Sequence, residues 1–153
     1  MKKYLYRNLA LSLLAVLLLA TWGYAGNNTS TQSIEQINKV FNELLCAVNT
    51  RDKDRIISLY HEDATIKTSI DGEDVMATRD QYAQLLPQKM EEWDENSVKL
   101  LDYEIKEVNE QENDRVEVVV KIKGKRGILT GSFKGSVELV QNKNEWKIIS
   151  DKL

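Results

Sequence analysis

Residues 47–66 read AVNTRDKDRIISLYHEDATI, and three elements meet in them. An amphipathic helix ends at Asn49 and Thr50. A short second helix follows, with Asp52 as its N-cap and Ile56, Ile57, Leu59 and Tyr60 as its apolar side. A strand then opens at Ala64, because Thr65, Ile66, Thr68 and Ile70 concentrate β-branched side chains.

Upstream, Ser33 and Gln36 have capping-box spacing, and Ile34, Ile37, Phe41, Leu44, Leu45 and Val48 share one helical face. Downstream, Asp71-Gly72 is a turn signal that returns Val75 and Met76 as a short hairpin partner. Thr78 and Gln81 form a second capping box. Tyr82, Leu85, Leu86, Met90 and Trp93 then keep helical spacing to about Glu95. Pro87 lies inside that pattern and predicts a kink or a restart, since it removes one hydrogen bond and crowds the preceding turn.

From Ser97 the period changes to two. Leu101, Tyr103 and Ile105 alternate with Asp102, Glu104 and Lys106. Val116, Val118, Val120 and Ile122 form the next face. Leu129, Phe133, Val137 and Leu139 form the third, with Gly131 and Gly135 on the same side, where a glycine marks a bend or a close contact. Trp146 and Ile148 close the series. Four such runs imply an antiparallel meander with one apolar face, against which the helices pack.

The first 25 residues have the export-signal pattern. Lys2, Lys3 and Arg7 precede an apolar run at 9–20, and Gly23 and Ala25 are small residues suited to cleavage after Ala25. The apolar run is shorter than the ~20 residues a spanning helix needs. The expected location is periplasmic or extracellular. Residues 26–32 are polar and read as a flexible lead-in, which leaves 33–153 as one domain. Loss of Lys2, Lys3 and Arg7 reduces the 21 Lys+Arg to 18 against 24 Asp+Glu, a net charge of −6. An acidic domain without a basic stripe has no electrostatic footprint for nucleic acid and none for anionic lipid, so neither a nucleic acid nor a membrane is expected as a partner once the signal is removed.

Residues 47–66 resemble the helix-helix-strand signature of the nuclear transport factor 2-like superfamily, which includes SnoaL-like cyclases and ketosteroid isomerases. The resemblance rests on Asn49 in the turn, Asp52 at the helix start and Asp63-Ala64-Thr65 at the strand start. Residues 72–82 and the Glu145-Trp146-Lys147-Ile148 run resemble the family's turn into its third helix and its last strand. The resemblance implies an α+β fold: a cone-shaped, curved antiparallel sheet wrapped around about three N-terminal helices, with an apolar pocket at its open end. The isomerase chemistry does not carry over. The positions of its base, tyrosine donor and second acid fall on Thr68, on Leu44 and near Gly135 or Ser136, none of which moves a proton near neutral pH.

The remaining candidates are few. Tyr82, Trp93 and Tyr103 are the expected pocket-lining residues, against a default of ordinary core aromatics. His61 stands alone, at a corner where surface histidines are common. Cys46 is the only cysteine, which excludes an internal disulfide, and it reads as a small buried hydrophobe. Asp71, Glu73 and Asp74 lack calcium-loop spacing, and acidic turns are usually just solvated. Lys121, Lys123, Lys125 and Arg126 form a small basic turn. No catalytic, cofactor or metal residue is assigned. The reading is an exported, non-catalytic small-molecule-binding or accessory domain for a small apolar ligand. Its alternatives are a SnoaL-like isomerase, cyclase or dehydratase with an unplaced acid/base, and a homodimeric interaction module.

Overall fold

The computed structural model describes residues 31–70 and 72–153. The export segment, most of the lead-in and Asp71 therefore lie outside the described residues. Helix α1 spans Thr31–Thr50, two residues ahead of the expected start at Ser33. Helix ends are uncertain by a residue or two when only polar side chains precede the first buried one. Ile37, Val40, Phe41, Leu44, Ala47 and Val48 form its buried stripe, whereas Ile34 stays exposed at the free end.

Arg51 turns the chain with a left-handed φ of 56°. Its guanidinium donates to the carbonyls of Val48 (2.6 Å) and Val98 (2.9 Å), which ties off the open end of α1. Beside it, Asn49 imitates a strand: its Nδ2 donates to the Leu100 carbonyl (2.7 Å) and its Oδ1 accepts the Leu100 amide (2.9 Å). The signature asparagine thus joins the first helix to a strand 51 residues away. Helix α2, Lys53–Ser58, is capped by Asp52, whose side chain accepts the Arg55 amide.

Strand β1, Tyr60–Ile70, starts four residues before the expected Ala64, so Tyr60 and His61 belong to a strand. Strand β2, Glu73–Thr78, returns beside it, and Thr78 and Gln81 form the complete capping box of helix α3, Arg79–Glu95. No restart occurs at Pro87, because α3 runs without interruption. Leu86 is fully buried, and Tyr82, Met90 and Trp93 pack on the core, so tertiary packing outweighs the missing hydrogen bond.

The last four strands are β3 (Val98–Gln111), β4 (Arg115–Arg126), β5 (Leu129–Asn142) and β6 (Glu145–Asp151). The six strands make one curved, unclosed sheet in the order β2-β1-β6-β5-β4-β3. Every pairing is antiparallel except β1 with β6, which is parallel, so the sheet is mixed. The inner residues of β4, β5 and β6 meet α1 and α3 in one core of Phe41, Leu86, Val118, Val120, Leu139, Ile148 and their neighbours. Bulges reset the alternation. One at Leu100/Asp102 turns Leu100 inward and leaves Leu101 exposed, against the simple alternation of the sequence. Toward the β4–β5 turn the sheet runs past the helices, so Leu129 and Phe133 of the expected apolar face are exposed. No helix among the described residues is long and apolar enough to cross a membrane.

Candidate functional site

A cavity of about 420 Å³ opens between α1, α3 and the inner face of the sheet. Leu44 and Val48 of α1, Ile66 of β1 and Leu100 of β3 form apolar walls, and Tyr82 and Trp93 enter from α3. Thr68 and Leu44, the positions on which the isomerase's base and tyrosine donor would fall, both line this space.

The polar end is built by β6. Asp151 is 7% exposed and is the single buried charged side chain among the described residues. Its Oδ2 accepts the Tyr60 hydroxyl at 2.7 Å, and its Oδ1 accepts the Leu153 amide at 3.0 Å. Burial raises the Asp151 carboxyl above its usual value, and the two hydrogen bonds pull it partly back. Burial together with the adjacent carboxylate pushes the Tyr60 hydroxyl well up, so it stays a donor. Tyr82 stands edge-on to Tyr60 with ring centroids 5.8 Å apart, and its hydroxyl is raised by burial and then by Asp151. No hydrogen-bond partner of that hydroxyl is found among the described residues. The cluster therefore offers a recessed carboxylate that can accept a proton or an N–H, and a phenol free to donate.

Asp151 escaped the sequence reading because of a bulge. With Trp146 and Ile148 inward, strict alternation sends Asp151 out to solvent. In the structure Leu139 pairs with Ile148 and Glu138 with Ser150, so Ile149 is left over between them. The extra residue turns Asp151 inward, opposite the buried Val137. One signal was available: Gly135. A Cβ there would lie 3.1 Å from the Leu153 Cα and 3.1 Å from the Lys152 carbonyl oxygen, so the last residues cross β5 over this glycine. The Lys152 amide donates to the Ser136 carbonyl (3.1 Å), and Leu153 joins the cavity wall.

The three expected pocket residues separate. Tyr82 and Trp93 line the cavity. Trp93 also carries the Arg51 guanidinium 5.5 Å from its ring centroid. Tyr103 stacks on Phe41 at 5.5 Å, and its hydroxyl reaches the Asn38 carbonyl at 3.0 Å, so it braces α1 against β3. It borders a cleft of about 400 Å³ with Asp102, Glu104, Lys121, Lys123 and Ser132 instead. His61 accepts the Asp63 amide at 3.2 Å. With Glu62 and Asp63 it groups three ligand-type side chains, two of them exposed, apart from the cavity lining. Cys46 is exposed and not buried as expected, because it lies off the stripe of Phe41, Leu44 and Val48, and Arg55 Nη1 is 3.4 Å from its sulfur.

Residues 32–152 match the family described as "Putative lumazine-binding". The chain belongs to that family. No curated protein matches it. Solved structures agree on the fold. A nuclear transport factor 2-like protein of unknown function from Shewanella oneidensis is 19% identical over 76% of this chain and 94% of its own, with a TM-score of 0.59. One from Pseudomonas putida is 17% identical over 79% and 84%, with a TM-score of 0.60. A domain of unknown function with a cystatin-like fold from Nostoc punctiforme is 15% identical over 80% and 76%, with a TM-score of 0.62. At these identities the likeness is one of fold, and the superfamily resemblance of residues 47–66 is met at that level.

Proposed function

We propose that the protein is an exported binding domain that holds one small, largely apolar molecule in the cavity between α1, α3 and the sheet. The observation that carries this reading is the cavity itself. Its volume of about 420 Å³ suits a compact organic ligand, and its walls are largely apolar between charged pairs at the rim and Asp151 with Tyr60 at the buried end. The family's description supports a flat heterocycle that carries N–H donors, since a lumazine is such a molecule.

Titration with lumazine, followed by chemical-shift changes of residues lining the cavity, tests the binding. Saturable shifts are expected, and Thr68→Trp, which fills the cavity from β1, should weaken binding at least about tenfold. Undiminished binding by the variant would remove the cavity from the account. Export is part of the same proposal. Mass spectrometry of the exported protein should find Gly26 at its N-terminus, and a retained Met1 would refute cleavage.

A further inference from the structure

The charges that line the cavity do not balance. Lys67 meets Asp74 at 2.8 Å, and Lys89 meets Glu92 at 3.1 Å, so four of the five charged residues of the lining form two neutral pairs at the rim. The fifth, Asp151, lies at the buried end, and no cationic side chain among the described residues is within salt-bridge distance of it. Its two partners, Tyr60 and the Leu153 amide, are neutral. A buried carboxylate without a counter-charge is costly, and a cation placed beside it relieves that cost far more than a neutral group does. The apolar remainder of the space, with Tyr82 and Trp93 on α3, fits the body of such a molecule.

We propose that the cavity selects a small organic cation, whose charged N–H group donates to Asp151 while its apolar body lies against Tyr82, Trp93 and Ile66. The proposal rests on the ligand-binding reading above and adds the class of ligand. Carboxylate oxygens that each already accept one hydrogen bond keep lone pairs for a second, so an amidinium or ammonium group meets Asp151 without displacing Tyr60 or Leu153. The Tyr82 hydroxyl is left to donate to an acceptor on the same ligand.

Three probes of nearly equal shape and different charge test it on the purified protein: benzamidine (cation), benzamide (neutral) and benzoate (anion), each titrated by NMR at neutral pH. Benzamidine is expected to bind at least about tenfold more tightly than benzamide, with benzoate weakest. Asp151→Asn should remove that advantage, so that benzamidine binds the variant no more tightly than benzamide does. Benzamide or benzoate binding as tightly as benzamidine would overturn the cation selection while leaving a binding cavity. Failure of all three, and of lumazine, to shift any cavity signal would overturn the binding reading and this inference with it. Should the variant not fold, the ranking of the three probes on the unaltered protein decides the matter alone.

Discussion

Phe41→Ala is expected to lower stability by about 3–5 kcal/mol and the Tm by on the order of 10 °C. Phe41 is 1% exposed and sits at the middle of α1's buried stripe. Two losses add at this position. The removed ring forfeits its burial, and the cavity it leaves is framed by the sheet on one side and the helix on the other, neither of which collapses easily. The ring also stacks on Tyr103, which helps hold α1 to β3 through Asn38, so the truncation loosens a second contact. A urea titration of the variant checks the value. A loss below about 1 kcal/mol would show that α1 is not anchored on the sheet through this ring.

The same residues show what local sequence conveys and what it does not. The Asp52 cap, the Thr78–Gln81 capping box and the stripe from Ile37 to Val48 depend on neighbours three or four residues away, and all three are legible in the chain as written. The superfamily resemblance was legible for the same reason, because Asn49, Asp52 and Asp63-Ala64-Thr65 lie within one short stretch. The restart that Pro87 allows does not occur, because the packing of Leu86 and Trp93 outweighs the lost hydrogen bond and the helix continues. The polar end of the cavity was not legible. It depends on the Ile149 bulge, which reverses the face of Asp151, and on the parallel pairing of β1 with β6, which brings Ile66 beside Asp151. Period-two counting carries no information about an extra residue in one strand of a pair. Tyr60 and Asp151 are 91 positions apart, and only the folded sheet puts them in contact.

Asp151→Ala and Asp151→Asn are expected to act in opposite directions on stability. The alanine variant leaves the Tyr60 hydroxyl and the Leu153 amide buried without an acceptor and should lose about 2–3 kcal/mol. Asparagine keeps both links, since its oxygen accepts the Leu153 amide and its NH₂ donates to the Tyr60 oxygen, which accepts as well as donates. It also removes a charge that the site holds at a disadvantage. Burial raises the Asp151 carboxyl above its unfolded value of 3.8, so the folded protein binds that proton more tightly than the unfolded chain. Below the unfolded value the carboxyl is protonated in both states and the ionic penalty is absent. As the pH rises through the folded value the carboxyl ionises inside the protein, and from there upward the penalty is fully present. The asparagine variant should therefore match the parent near pH ~3 and exceed it in stability at neutral pH. Urea midpoints at the two pH values measure the difference. An advantage for asparagine that shrinks toward neutral pH would mean that the carboxylate is stabilised where it stands, and would contradict both the raised carboxyl and the need for a cation. An advantage that grows, together with lost preference for benzamidine, identifies Asp151 as a charge kept for binding at the expense of stability.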